Sequence, residues 1–345
     1  MTAKVEGRRQ GPRESRLYWL LVALFLLLAT AVFAVQPALL QSLRHFMFDT
    51  YQRLAPAPAL PDSPVRIVAI DREALPRLGQ WPWPRSTMAR LTEELGAAGA
   101  SAIVFDVLFA EPDRTSPEQM LVWLPPERSR TLRRIIASWP THDGVFAEAI
   151  RRYPTVLAAS LHNEPTDQAF PLKAGLAFAG DNPAPFLASF AGFSSSLPPL
   201  SEAAHGVGFI NWLPDRDQVV RRVPMLAAQG DTLAPSLALE SLRVGQGAST
   251  YMIRSSNAHG STAFGRRIGM NDVRVGPHAI PTATSSQIWV HFRHSDPRPY
   301  ISAARILSGE VDAEEVRGRI VLIGATATGL MDLRATPLDA AIPGV

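Results

Sequence analysis

The stretch Val65-Arg-Ile-Val-Ala-Ile-Asp71 decides the fold class, because it is a short, mostly apolar run that ends in a carboxylate. A second run of this kind, Ala102-Ile-Val-Phe-Asp106, follows it along the chain. Between the two, residues 85–98 carry apolar side chains at helical spacing. A strand, a helix and a strand in this order form a β-α-β unit with parallel, buried strands. The sequence therefore predicts that these two strands are neighbours in a parallel sheet.

The alternation of helices and strands continues beyond this unit. A helix at residues 146–153 precedes an apolar strand at residues 155–160, and further strands follow toward the C-terminus. Residues 114–138 are charged and contain prolines, and residues 169–201 are rich in Pro, Gly, Ala and Ser, so both segments are interpreted as inserted loops. The predicted fold class is α/β, with a mixed, largely parallel central sheet, flanking helices and inserted loops.

The N-terminus carries the net charge of the whole chain. Residues 1–16 hold five basic and two acidic side chains, a net +3 that equals the formal charge of all 345 residues. Residues 17–35 are almost wholly apolar and would span about 28 Å as a helix, close to the thickness of a bilayer core. The sequence predicts one N-terminal transmembrane helix at residues 17–35. By the positive-inside rule, residues 1–16 form a cytoplasmic tail and the remainder is exported.

A cleaved signal peptide is the alternative reading of this N-terminus. Ala29-Thr-Ala31 could serve as its small-residue cleavage site. The apolar region of a signal peptide usually covers only about 7–15 residues, however, which favours the retained helix.

Residues 36–64 are predicted to connect the membrane helix to the globular domain at residues 65–345. Residues 36–54 are amphipathic and predict a juxtamembrane helix, whereas residues 55–64 contain four prolines and predict an extended linker. The absence of cysteine excludes disulfides and thiolate metal sites. Because residues 17–345 sum to zero formal charge, no nucleic-acid partner is expected.

Carboxylates at the strand ends are the first candidate site. Asp71 and Asp106 would end neighbouring strands, Glu111 follows closely, and Asp332 could join them if the last strand lies beside these two. One reading is that these side chains accept backbone hydrogen bonds and stabilise loops. The other is a ligand site, with Asp71 and Asp106 as candidate metal ligands.

The turn Gly79-Gln-Trp-Pro-Trp-Pro84 is the second candidate. Trp81 and Trp83 could form an aromatic surface that binds a ligand, or they could pack as a rigid lid over the sheet edge. Both readings remain open at the level of sequence.

The remaining motifs indicate no catalytic centre. The chain lacks Gly-x-Ser-x-Gly, His-Glu-x-x-His and kinase motifs. Residues 324–329 have the glycine spacing of a phosphate-binding loop, but Leu330 and Met331 stand where Lys and Ser or Thr are required. Asp215-Arg-Asp217 is predicted to form a turn with salt bridges to Arg221 or Arg222. We therefore expect no catalytic residue, no cofactor and no enzymatic activity.

Taken together, several motifs make the chain resemble the CHASE2 domain, an extracellular sensor at the N-terminus of bacterial transmembrane receptors. The resemblance extends from about residue 45 to the C-terminus. Its motifs are FDTYQR at 48–53, IVAID at 67–71, LGQWPWPR at 78–85, AIVFDVLF at 102–109, EPD at 111–113, the segment 208–224, GATATGL at 324–330, TPLD at 336–339 and PGV at 343–345. The chain departs from the family at Gln218, where glycine is frequent.

The resemblance implies a function for the chain. Such receptors usually continue into further membrane helices and a cytoplasmic adenylate cyclase, diguanylate cyclase or kinase. We therefore expect a periplasmic sensor on the bacterial inner membrane that forms a homodimer and responds to an unknown small-molecule or ionic stimulus. The alternatives are an exported metal-dependent enzyme that acts on envelope material and a ligand-free dimerisation module.

Overall fold

The computed structural model describes residues 12–35, 38–121, 126–258, 269–327 and 333–344. Residues up to Pro56 and residues from Ala57 onward form two compact units.

The first unit contains two helices, α1 at Pro12–Val35 and α2 at Ala38–Leu54. The side chains of α1 are described for residues 16–31, and the large apolar ones among them are mostly exposed. No helix within the described part of the chain is both long and apolar enough to cross a membrane. The predicted N-terminal helix is therefore present, but the described residues do not support its crossing of a membrane.

The second unit contains the remaining described elements. Its helices are α3 Ala74–Leu78, α4 Arg85–Ala97, α5 Pro117–Met120, α6 Pro126–Ile136, α7 His142–Arg152, α8 Pro198–Ala203, α9 Leu237–Gly245 and α10 Ala303–Leu307. Its strands are β1 Val65–Ile70, β2 Ala102–Phe105, β3 Thr155–His162, β4 Gly175–Ala179, β5 Ser189–Phe190, β6 Gly192–Ser195, β7 Gly206–Phe209, β8 Arg222–Pro224, β9 Leu226–Gln229, β10 Thr232–Pro235, β11 Thr250–Ser255, β12 Met270–Val275, β13 His278–Pro281, β14 Gln287–Trp289, β15 Tyr300–Ser302, β16 Ile320–Ala325, β17 Leu333–Arg334 and β18 Ile342–Pro343.

The central sheet is largely parallel, which confirms the predicted fold class. Strands β15, β1, β16, β2, β3 and β7 pair in this order and all run parallel, whereas β6 pairs antiparallel with β3. Strand β16 pairs with β1 along its whole length and with β2 on its other side. The prediction that β1 and β2 are neighbours is therefore wrong, because a strand from near the C-terminus lies between them.

The two faces of the sheet are covered differently. Helices α4, α7, α8 and α10 pack together over the main core, where the predicted apolar residues Met88, Leu91 and Leu95 are fully buried. On the other face α9 packs on β7, β3 and β2. Gly208 allows this close approach, since a Cβ atom there would lie 2.5 Å from the Cα atom of Leu237.

The two segments interpreted as inserted loops contain regular structure. Residues 114–138 include α5 and α6, and residues 169–201 include β4, β5 and β6 together with the start of α8. Prolines stand at the first position of α5, α6 and α8, where a missing N–H group costs nothing. The interpretation of both segments as loops was therefore wrong. For α5, α6 and α8 the reason is that the prolines mark the starts of helices rather than interruptions.

A smaller β layer lies outside the central sheet. It consists of the four-stranded sheet β13-β12-β11-β4 and the three-stranded sheet β10-β9-β5. Their shared core includes Tyr251, Ile253 and Val273, which are fully buried.

Candidate functional site

The carboxyl ends of β16, β2, β3 and β7 open onto a cavity of about 790 Å³. Asp106 follows β2, Ser160 belongs to β3, and Ile210 and Asn211 follow β7; all four line the cavity. Loops that leave parallel strands at this edge commonly bind ligands in α/β folds. We call this space the carboxyl-edge cavity.

Asn211 holds the segment after β7 in place. Its Oδ1 atom accepts a hydrogen bond from the backbone N–H of Leu161 (2.7 Å), and its Nδ2 atom donates to the carbonyl oxygen of Leu161 (2.7 Å). The side chain thus continues the pairing of β7 with β3 beyond the end of the strand. This contact positions the next residue, Trp212, in the cavity wall.

Another part of the wall is the C-terminal hairpin, which we define as residues 333–343 with β17 and β18 paired antiparallel. Leu333, Arg334 and Ala335 of this hairpin line the cavity. The Arg334 guanidinium lies over the Trp212 ring, 5.6 Å from its centre, in a cation–π arrangement. The hairpin therefore contacts the β7 side of the cavity directly.

A turn at residues 215–220 supports the hairpin. The backbone N–H of Val220 donates to the carbonyl oxygen of Ala335 (2.9 Å), and Val219 and Ala335 form an isolated parallel β-bridge. Gln218 lies in the turn with φ of +63° and lines the cavity. This is the left-handed region that glycine adopts freely and other residues adopt at a cost of about 1–2 kcal/mol. Gln218 thus keeps a glycine-like conformation where the family often has glycine.

Ion pairs hold this turn, as the sequence predicted. The buried carboxylate of Asp215 accepts hydrogen bonds from Arg221 (3.0 Å) and from Arg222. The Arg221 guanidinium also donates two hydrogen bonds to Asp217, and this contact holds the pKa of that carboxyl at about 2. Arg221 itself is only 2% exposed, so the pairs anchor the turn from inside the fold.

A second cavity, of about 410 Å³, lies beside the tryptophan turn. Trp81, Trp83 and Glu111 line it. Trp83 is fully buried and donates from its indole N–H to the carbonyl oxygen of Gly79 (2.8 Å), whereas Trp81 is half-buried and packs edge-on against it at 5.3 Å. Trp83 is therefore part of the core, and Trp81 is the ring with surface left to contact a ligand.

Two buried charged residues, Arg85 and Asp113, line this second cavity. The Asp113 carboxylate accepts hydrogen bonds from the backbone N–H groups of Arg85 (2.7 Å) and Thr115 (2.8 Å), and it contacts Nδ1 of His142 at 3.0 Å. Burial raises the pKa of Asp113, but these hydrogen bonds outweigh burial and leave the pKa below its ordinary value. The Arg85 guanidinium stacks over Phe109 at 4.4 Å. Asp113 thus connects the first residue of α4 to the first residue of α7.

The structure separates the residues that the sequence grouped at strand ends. Asp106 lines the carboxyl-edge cavity, and Glu111 lines the second cavity. The Asp71 carboxylate accepts hydrogen bonds from the backbone N–H of Ala74 (2.8 Å) and from the hydroxyl of Ser302 in β15 (2.9 Å). Because β15 and β16 lie on opposite sides of β1, Asp71 is engaged on the side away from Asp106. Asp332 lies outside the described residues.

Two further observations concern the predicted metal site and the residues that the sequence missed. Across the described residues there is no group of three or more His, Cys, Asp or Glu side chains placed to hold a metal ion.

Sequence reasoning did not select the other polar residues of the carboxyl-edge cavity, which are Ser160, Asn211, Trp212, Gln218 and Arg334. Asn211 carried a usable signal, because it is the last residue of the strand that the sequence predicts at residues 206–211.

These features define an α/β domain with a central parallel sheet and a ligand-sized cavity at its carboxyl edge. The family model for the CHASE2 domain matches residues 20–345, and the chain belongs to this family of extracellular sensory domains. Such domains are sensory rather than catalytic. No curated protein and no solved structure matches the chain.

Proposed function

We propose that this chain is the extracytoplasmic sensory input region of a bacterial transmembrane receptor, and that it responds to occupancy of the carboxyl-edge cavity. The observation that carries the proposal is the composition of the cavity wall. One wall consists of the rigid ends of β2, β3 and β7, whereas the other is the C-terminal hairpin, which is held by the turn at residues 215–220. A ligand that contacts both walls favours one position of the hairpin, which is how a bound molecule shifts a conformational equilibrium.

Relay to the cytoplasm requires a membrane anchor, for which we propose residues 17–35. The support is the uncharged sequence of this run and the exposure of its large side chains along α1, for example Leu20 at 67% and Leu24 and Leu28 at 61%. Residues 1–16 then form the cytoplasmic tail, residues 36–64 the juxtamembrane segment and residues 65–345 the periplasmic sensor domain. The output is an adenylate cyclase, a diguanylate cyclase or a kinase domain, as in receptors of this family.

An engineered disulfide tests the relay through the hairpin. Val219 and Ala335 face each other in a β-bridge, and the chain has no cysteine of its own, so Val219→Cys with Ala335→Cys can form one defined bond. We expect that oxidation of this pair changes the cyclic AMP output of the chain fused to a reporter adenylate cyclase by about fivefold or more. Reduction should restore the original output.

The control pair is Ala228→Cys with Leu233→Cys, which joins β9 to β10 outside the carboxyl-edge cavity. Its oxidation should leave the output unchanged. Equal output from the oxidised and reduced forms of the Val219–Ala335 pair would contradict a relay through the hairpin.

A homodimer is the second part of the proposal, and α2 provides the surface. Leu40, Leu43, Met47, Tyr51 and Leu54 are exposed on α2 at separations of three, four, four and three residues. These separations average 3.5 residues, so the side chains form one apolar stripe along the helix, which a second copy of the same helix can cover. Two copies anchored in one membrane would present these stripes in parallel.

Acidic substitutions in the stripe test the dimer. We expect Leu43→Glu with Met47→Glu to raise the dimer dissociation constant of the whole chain at least about tenfold, because each change removes the burial of a large apolar side chain. Mass photometry of the chain in lipid nanodiscs measures this. Ser42→Glu is the matched control on the same helix, and an equal effect of this control would exclude the stripe as the interface.

A further inference from the structure

A third cavity, of about 320 Å³, adjoins the carboxyl-edge cavity on the face of the sheet that α9 covers. The two cavities share Asp106, Ile210, Asn211, Trp212 and Gly344 in their linings. We call the third one the sheet-face cavity. The two cavities therefore adjoin at the end of β7, where these shared residues lie.

The sheet-face cavity is apolar because α9 leaves part of the sheet uncovered. Ile320 and Leu322 of β16 point to this face and remain half-exposed, whereas the intervening Val321 and Ile323 are fully buried in the main core. Phe209 and Met225 add further apolar surface. Helix α9 lines this cavity with Leu237, Ala238 and Ser241, and the small side chain of Ala238 leaves space open.

The carboxyl-edge cavity is polar and carries one charge of each sign in its described lining. Its described lining includes one carboxylate, Asp106, and one guanidinium, Arg334, together with the Ser160 hydroxyl and the Gln218 amide. A head group with a single charge would gain attraction from one of the two charged residues and repulsion from the other. An uncharged head group that forms hydrogen bonds avoids this repulsion.

We infer that the two cavities form one site for an uncharged amphiphile, with its polar head in the carboxyl-edge cavity and its apolar chain in the sheet-face cavity. The inference rests on the proposed function and names the class of stimulus for the same site. The polar head would contact the C-terminal hairpin. Binding of the amphiphile would therefore act on the part of the cavity wall through which the proposed relay operates.

A series of simple probes tests this inference. The probes are octanamide, octanoate, octylammonium and the short-chain butanamide, each titrated by calorimetry into the whole chain in lipid nanodiscs with empty nanodiscs subtracted. We expect octanamide to bind at least about tenfold more tightly than butanamide, since four additional methylene groups are buried. Octanoate and octylammonium should each bind at least about fivefold more weakly than octanamide.

Filling the sheet-face cavity provides the specific control. Ala238→Trp places a large ring over the cavity from an exposed position of α9, so the fold can tolerate it, and it should abolish the preference for octanamide over butanamide. Ala97→Trp is the matched change at an exposed position of α4, and it should retain the preference.

The outcomes separate this inference from the proposed function. If octanamide and butanamide bind equally, or if Ala238→Trp and Ala97→Trp behave alike, the amphiphile site is refuted while the disulfide test of the hairpin stands on its own. Tighter binding of octanoate or octylammonium than of octanamide refutes the uncharged head group. If the probes bind as expected and the disulfide pair has no effect, the proposed relay through the hairpin is refuted, whereas the amphiphile site is supported.

Discussion

Replacement of Arg243 by Met is expected to lower the free energy of unfolding by about 3–5 kcal/mol, the largest loss that we predict for a single substitution. The Glu240 carboxylate has no exposed surface. It accepts hydrogen bonds from Nε (3.0 Å) and Nη2 (2.6 Å) of Arg243 and from the hydroxyl of Tyr251. Methionine fills much of the space but leaves this buried charge without its cation.

Arg243 also joins elements that are distant in sequence. Its Nη1 atom donates to the carbonyl oxygen of Ala248 (2.9 Å), and its Nη2 atom donates to that of His205 (2.7 Å), just before β7. Burial raises the pKa of the Tyr251 hydroxyl, and the neighbouring Glu240 carboxylate raises it further, so Tyr251 stays a neutral donor. The substitution therefore weakens the contacts among α9, β7 and β11 together.

Urea unfolding of the parent and variant chains measures the effect. Arg151→Met is the control, because Arg151 pairs with Glu148 at the surface, where both side chains are well exposed, and its loss should change stability little. The double variant Glu240→Gln with Arg243→Met should recover part of the loss, since it removes the buried charge. Similar stabilities for Arg243→Met and Arg151→Met would refute this account of the network.

Replacement of Arg221 by Met is expected to cost about 3 kcal/mol of stability and to loosen the wall of the carboxyl-edge cavity. Asp215 keeps one cation, Arg222, so the cost lies at the lower end of the range for a broken buried pair. The turn at residues 215–220 then loses the guanidinium that holds both of its carboxylates. Its hydrogen bond from Val220 to Ala335 should consequently open more often.

Hydrogen–deuterium exchange distinguishes the local effect from general destabilisation. Exchange should accelerate in residues 215–220 and in the C-terminal hairpin more than in β2 and β3. Arg216→Met is the matched control, because Arg216 stands between the same two aspartates but is exposed. If Arg221→Met accelerates exchange uniformly over the domain, the turn does not specifically support the hairpin.

The ion-paired turn was predictable because its partners are close in sequence. Asp215 and Arg221 are six residues apart, so a turn alone brings them together. Burial of Met88, Leu91 and Leu95 was predictable for the same reason, since helical periodicity places them on one face. The helix α6 escaped prediction because charged residues and prolines outweighed its apolar spacing.

The position of β16 could not be derived from these local patterns. Its run of apolar residues predicts a buried strand, but its pairing depends on which strand edges remain available after the rest of the chain has folded. Asp71 and Asp106 consequently appeared to share a site that β16 divides. The general rule that ligands bind at the carboxyl edge of a parallel sheet still located the cavity that Asp106 lines.

Local spacing in the sequence predicts helices α1, α2, α4 and α7, strands β1, β2 and β3, the apolar N-terminal run and the ion pairs of the turn. Each of these features depends on residues within a few positions of one another. Which strand ends meet depends instead on tertiary packing, which brings Ser160, Trp212 and Arg334 together around one cavity. The physical reason is that strand pairing is a contact between distant segments. Its partners are selected by the packing of the whole domain rather than by local spacing.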